Sequence, residues 1–419
     1  MKSVLFFLSI FVLVSLAQNK KEDENLLENL LKQNEKYFPF VIENPSKYRV
    51  QIIYTKIERT KKGDAKLLTY KYRLNARKYF YPASTVKLPA ALLTLEKINQ
   101  LKINGLTKET LLRIDSAYSG QTKVEYDSSS QSKLPSLANY IKKVFLVSDN
   151  DAYNRLYEFL GQQSFNEKLW NKGYLNVMIN HRFIGGLTSE ENRFTNPFTF
   201  YSNGKILYEQ PLRFNHSQYH NNVDDLLQGK GVVEEDSVHM HPKDFILSNY
   251  FALEDQHEML KSLFFPKSII KEKRFLLTNN DLEFLKKYMS LLPRESEFNE
   301  YHDYSHYPDG YVKFFLYGDT KDSIPQNVKI YNKVGLAYGY LTDNAYIVDS
   351  KNKVEFLLSA VIYVNEDEIF NDDKYEYNEI GLPFLANLGR VIYRYEMERK
   401  KQQKLNSKIQ KTNTKEHSN

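Results

Sequence analysis

The run Tyr81-Pro82-Ala83-Ser84-Thr85-Val86-Lys87-Leu88-Pro89-Ala90-Ala91-Leu92-Leu93 decides how the rest of this chain is read. It follows two strand-like segments and opens a helical run with apolar residues at Leu88, Leu92, Leu95 and Ile98. Serine and lysine three apart on a helix share a face, so the Lys87 amine can reach the Ser84 hydroxyl. A serine hydroxyl is a weak nucleophile until a neighbouring base takes its proton, and an amine one turn along can be that base. The same residues also fit a plainer reading, an N-cap serine followed by a surface lysine.

Toward the N-terminus, residues 48–58 alternate, with Val50, Ile52 and Tyr54 on one side, and residues 67–74 return as a second strand after the turn Lys61-Lys62-Gly63-Asp64. Ahead of them, Leu26, Leu27, Leu30 and Leu31 recur at helical spacing, and Pro39 and Pro45 break the chain. The first residues read as a secretory signal peptide over 1–17: Lys2, an apolar stretch over 4–14, then Ser15-Leu16-Ala17 at the cleavage site. That stretch is too short to span a membrane, and the reading implies secretion across an inner membrane into a periplasm. The chain has no cysteine, which leaves no disulfide framework and no thiolate metal site.

Toward the C-terminus the middle is long and mostly helical. Leu134, Leu137, Ala138, Ile141 and Phe145 keep helical spacing, residues 151–160 continue as a further helix, and residues 279–291 are helical again. Residues 199–248 are rich in Asn, His, Tyr and Gly without clear periodicity, and read as a loop-rich insertion. Strand pattern returns at 329–337, 343–349 and 354–364, and residues 381–399 close as an amphipathic helix. Two early strands and three late ones make a sensible single sheet. The expected fold class is therefore α+β: a five-stranded antiparallel sheet from both chain ends, sandwiched by helices, with an inserted all-helical lobe. A groove between sheet and lobe is the natural place for small-molecule chemistry. One domain is expected over 18–399, followed by a basic disordered tail at 400–419.

The net charge of +6 does not argue for nucleic acid. Seven basic residues and a single acidic one lie between Arg399 and Asn419, so the tail carries the excess and the body is close to neutral. No nucleic-acid partner, no transmembrane span and a monomer are expected.

Two further stretches carry chemistry. Ser148-Asp149-Asn150 stands at a helix start, where Ser148 and Asp151 also fit a capping box. Lys333-Val334-Gly335 stands in a strand: a cation aimed into the groove, or an edge lysine beside a bulge. Ser84-x-x-Lys87, Ser148-Asp149-Asn150 and Lys333-Val334-Gly335, in that order on helix, loop and strand, resemble the motif set of the penicillin-recognising serine hydrolases, specifically class A β-lactamases.

The resemblance implies a β-lactamase/transpeptidase-like fold and no cofactor. It implies a small-molecule substrate, a β-lactam or a D-amino-acid peptide, cleaved through an acyl-serine. Carried over by position, Ser84 is the nucleophile, and Lys87 is its base, with its pKa lowered by desolvation and by the Lys333 charge. Ser148 passes a proton to the leaving nitrogen, and Asn150 orients Lys87 and the substrate. Lys333 and Gly335 bind substrate, and the N–H groups of Ser84 and Leu336 form the oxyanion hole. Two departures follow. Val334 stands where the family has Thr or Ser, so a substrate carboxylate needs another donor, from Tyr338, Tyr340 or Thr342. The deacylating carboxylate falls on Glu191, with Glu190 nearly equivalent; the alternative is a solvated acidic loop. The pairs His239/His241, His216/His220 and His302/His306 lack an accompanying carboxylate motif and read as surface histidines, so no metal is expected.

Overall fold

The computed structural model of the chain describes residues 25–60 and 62–416. The proposed signal peptide lies outside them. Five strands form the central sheet: β1 (Gln51–Arg59), β2 (Ala65–Tyr72), β3 (Val328–Ala337), β4 (Tyr340–Asp349) and β5 (Val354–Tyr363), in the order β3-β4-β5-β1-β2. Every neighbouring pair is antiparallel, and Ile52 opposite Ala360 marks where the two ends of the chain meet. The expected sheet from both termini is what forms.

The alternation of β1 explains why the sheet is covered twice. Val50, Ile52 and Tyr54 enter one core with Leu27, Leu30, Leu385, Leu388 and Ile392, contributed by the terminal helices. Ile57, on the other face, packs into the core of the helical lobe, and Ile53 into an aromatic cluster with Tyr79, Phe80, Tyr81 and Phe245. Both faces of β1 are covered, and its first seven residues are all buried.

The lobe is built on α1 (Lys87–Leu101), α2 (Leu137–Leu146) and α3 (Asn150–Leu160), joined by shorter helices. Helix α1 is buried nearly all round, from Leu88 to Ile98, as expected for a central helix. Among the described residues, no helix is long and apolar enough to cross a membrane.

Two expectations are corrected. The 199–248 region, read as a loop-rich insertion, also carries short strands: Phe198–Ser202 and Lys205–Gln210 form a hairpin that pairs with Leu111–Ile114. Several two- to four-residue strands follow. Strands that short leave no periodicity to detect. The hairpin had a local signal, Asn203-Gly204, and both residues adopt positive φ, 50° and 74°, as a tight primed turn requires. The segment after Arg399 is not a disordered tail up to residue 416, because the closing helix α4 runs from Leu382 to Glu416. Its Lys, Gln and Glu residues are good helix formers, and a turn already nucleated on the sheet propagates at little cost.

Candidate active site

Ser84 lies in a single 3₁₀ turn, Ala83–Val86, that leads straight into α1. The turn is entered through Ala83 at φ 44°, an unfavourable conformation for a residue with a Cβ, and is closed by Thr85 N–H donating to Pro82 O at 3.1 Å. Aromatic packing holds the approach: Tyr81 meets Tyr338 edge-on at 4.9 Å and Phe245 at 6.1 Å.

Lys87, wholly buried, reaches Ser84 Oγ at 2.8 Å. Its Nζ also donates to Asn150 Oδ1 at 2.7 Å and to the Ser148 carbonyl, with Ser148 Oγ at 3.3 Å. A neutral amine has two N–H groups and one lone pair. The carbonyl and the amide oxygen can only accept, so they take the two N–H groups and leave the lone pair for the Ser84 hydroxyl proton. Burial brings the Lys87 pKa down to about 7, partly opposed by the Asp149 carboxylate. The reading of Lys87 as a surface lysine is excluded.

The second motif meets the first. Ser148 adopts φ 58°, and it is Asp149, not Ser148, that caps α3, accepting Ala152 N–H at 2.7 Å. The capping-box reading of Ser148 is thereby overturned, and its hydroxyl is free to face the lysines. Lys333, from β3, donates to Ser148 Oγ at 2.8 Å and to Val334 O at 2.9 Å. Lys333 is fully buried and its pKa is held well below the usual lysine value by burial first and by the Lys87 charge second. The repulsion expected to act on Lys87 is thus felt at Lys333.

Gly335 brings β3 against the turn that carries Ser84. A Cβ there would stand 2.4 Å from Pro82 O and 3.2 Å from Ser84 N, closer than packed atoms allow. We predict that Gly335→Ala moves the strand off the turn, costing about 1–3 kcal/mol in stability. It should also slow Ser84 acylation at least about tenfold, since a 1 Å misplacement is enough to do so. Denaturant titration and adduct kinetics check the two effects.

Ser84, Asn150 and Leu336 border two cavities. One, of about 420 Å³, lies under the 181–187 loop and the Tyr81–Tyr338 wall. The other, of about 450 Å³, lies under Pro308, Tyr311, Val312 and Thr320 and also contacts Ser148 and Val334. The wall of the second cavity is anchored by buried polar groups that sequence reasoning missed. Lys313 donates to Asn332 Oδ1 at 2.7 Å, and Asp343 accepts from Asn332 at 2.9 Å and from Phe315 N–H at 3.1 Å. Burial lowers Lys313 to about 7 and raises Asp343 to about 6. Isolated polar residues in strand sequence carry no spacing signal, so only the fold brings them together.

The expected deacylating carboxylate is not there. Glu191 is the N3 residue of a capping box, its carboxylate accepting from Thr188 N–H at 2.8 Å, Thr188 Oγ at 2.9 Å and Ser119 Oγ at 2.8 Å. Glu190 accepts from Tyr118 OH at 2.8 Å. Neither borders either cavity, and the residues that do include no carboxylate among those described. Of the suggested stand-ins for the missing hydroxyl, Tyr340 is spent on Gln228 at 2.6 Å, while Tyr338 lines the first cavity. Among the described residues, no group of three or more His, Cys, Asp or Glu could hold a metal ion.

Residues 42–206 match the model of the beta-lactamase enzyme family, a span that contains Ser84, Lys87, Ser148 and Asn150 but ends before Lys333. No curated protein matches the chain. Among solved structures, a β-lactamase from Xanthomonas campestris pv. campestris is similar at 12% identity and a TM-score of 0.47, covering 89% of this chain and 98% of its own. A class A β-lactamase from Mycobacterium abscessus is similar at 14% identity and a TM-score of 0.44, covering 89% and 98%. The structure titled PBP-A is similar at 12% identity and a TM-score of 0.46, covering 88% and 95%.

Proposed function

We propose that this chain, a β-lactamase-like protein of the penicillin-recognising kind, is an exported serine hydrolase that opens an amide bond through an acyl-Ser84 intermediate. The observation that carries this is the Lys87 amine 2.8 Å from Ser84 Oγ, buried, with acceptors for both of its N–H groups. Lys87 takes the Ser84 proton as Oγ attacks the carbonyl carbon. The proton passes through Ser148 Oγ, which Lys333 holds from the other side, to the departing nitrogen. The N–H groups of Ser84 and Leu336 receive the carbonyl oxygen as it becomes an oxyanion, where one donor is typically worth about 3 kcal/mol. A β-lactam or a D-amino-acid peptide is the proposed substrate, held in the two cavities that Ser84 borders, where Tyr338 supplies a hydroxyl to the first. Export to a periplasm is supported by the sequence of residues 1–17 alone.

A second reading, a penicillin-binding peptidase or esterase with slow turnover, is favoured by the displacement of Glu190 and Glu191. A fluorescent penicillin followed over time separates the cases. Hydrolysis with a transient adduct supports a β-lactamase, and a lasting adduct supports the second reading. Undiminished ligand binding by Ser84→Ala, with no adduct on the wild type, would make the fold a binding module. Val334→Thr places a hydroxyl at the second cavity and should tighten β-lactam recognition about fivefold, the worth of about one hydrogen bond. A titration of acylation rate against penicillin concentration reads it; no gain would place the substrate carboxylate elsewhere.

A further inference from the structure

With Glu190 and Glu191 engaged elsewhere, the first cavity still contains a proton acceptor. We infer that His181 is the general base for hydrolysis of the acyl-enzyme, an assignment that rests on the acyl-Ser84 reading above. His181 lines the same cavity as Ser84, Asn150 and Leu336. Its Nδ1 lies 2.7 Å from the Arg182 carbonyl, which can only accept, so Nδ1 carries the proton and Nε2 carries the lone pair.

The ring is held in place. Tyr81, three residues before the nucleophile, stacks on it with an interplanar angle of 9°, and Phe183 meets it edge-on at 6.0 Å. The backbone is pinned by asparagines: Asn249 Oδ1 accepts His181 N–H at 3.0 Å, Asn192 Oδ1 accepts Arg182 N–H at 2.9 Å, and Asn154 Oδ1 accepts Phe183 N–H at 2.7 Å. The groups facing His181 keep the imidazole neutral. Burial lowers its pKa, the Arg182 carbonyl opposes this, and the Lys243 charge adds to the lowering. The Arg182 guanidinium is turned away to Glu158, and Tyr153 OH is used on the His181 carbonyl.

In the proposed step a water oxygen bonds to the ester carbonyl carbon while one of its protons passes to His181 Nε2. The tetrahedral intermediate then collapses, the bond from carbon to Ser84 Oγ breaks, and the imidazolium proton returns to Oγ. The products are the free acid and the regenerated serine. Nothing else is consumed.

The test uses the full chain with fluorescent penicillin, measuring adduct formation and adduct loss separately by quenched intact mass. His181→Asn retains an N–H for the Arg182 carbonyl but has no basic nitrogen, and His181→Gln controls for local packing. Both should slow adduct loss about 10²–10⁴-fold, the usual worth of a general base, and by far more than they change adduct formation. In the wild type, adduct loss should fall with decreasing pH along a limb below the ordinary histidine value, and that limb should vanish in both variants. Adduct lifetimes unchanged in both variants would overturn the inference while leaving acyl transfer intact. So would a limb near 7 that survives them, which would assign the step to Lys87. Absence of any adduct in the wild type would remove the acyl-enzyme reading itself, and this assignment with it.

Discussion

Replacing Lys87 by alanine is expected to slow acylation of Ser84 by about 10²–10⁴-fold, because the variant loses the proposed general base and leaves the serine hydroxyl un-ionised in a partly dry site. The effect has a pH signature. Acylation requires the neutral amine, and the Lys87 pKa is brought down to about 7 by burial. The wild-type rate should therefore be level above that pH and fall about tenfold per unit below it, as the amine takes up a proton. In Lys87→Ala that limb should disappear along with most of the rate. Stopped-flow measurement of fluorescent penicillin acylation between pH 5 and about 9 reads both effects. Acylation unchanged in the variant would mean that another group ionises Ser84. Substitution by arginine should not rescue it, since a guanidinium remains protonated throughout.

The second large effect is on stability. Glu158, on α3, is fully buried between two arginines, accepting from Arg155 at 3.0 Å and from Arg182 at 3.0 Å. Arg182 is itself wholly buried and also donates to the Glu191 carbonyl at 2.6 Å. Removing one partner from a buried ionic group strands the remaining charges, which typically costs about 3–5 kcal/mol. Glu158→Ala should lose that much in denaturant titration. Because Arg182 joins α3 to the loop bearing His181 and Phe183, it should also loosen the wall of the first cavity. Glu158→Gln, which keeps its shape and one acceptor, should lose less. A change below about 1 kcal/mol in Glu158→Ala would show that the arginines find water or other acceptors instead.

What the sequence disclosed and what it concealed divide along physical lines. Strand β1 is legible from its alternation and β5 from its long apolar run, and their pairing follows from strand count. Ser84 and Lys87 were legible because a three-residue offset on a helix is a spatial statement. Lys333 was legible only through the motif order, since an isolated lysine in a strand has no spacing partner. The strands of 199–248 were hidden because two or three residues do not make a period, although Asn203-Gly204 marked one hairpin. Glu191 was misplaced for another reason. Thr188-x-x-Glu191 is a capping-box pattern, and the backbone N–H at a helix start competes for the same carboxylate that chemistry would use. His181 escaped notice because one histidine in an irregular stretch, Asn180-His181-Arg182-Phe183, offers no pattern at all.

The site's strain sits where its function is proposed. Ala83, Ser148 and Tyr338 all adopt positive φ, at 44°, 58° and 54°. Ala83 and Tyr338 are packed in one aromatic cluster, so surrounding packing over-determines both. The aromatic cluster of Tyr79, Phe80, Tyr81, Phe245 and Phe370 supplies that packing, and Phe245 comes from the 199–248 region. That region therefore supports the turn that carries Ser84.

The most direct measurement is peptide mapping of the full chain after rapid acid quench from fluorescent penicillin. The chain of contacts from Lys333 through Ser148 to Lys87 and on to Ser84 predicts a covalent acyl group on the peptide containing Ser84 within the first turnover, abolished in Ser84→Ala. An acyl group on a different residue, or wild type and Ser84→Ala retaining the probe equally and without a covalent bond, would contradict it.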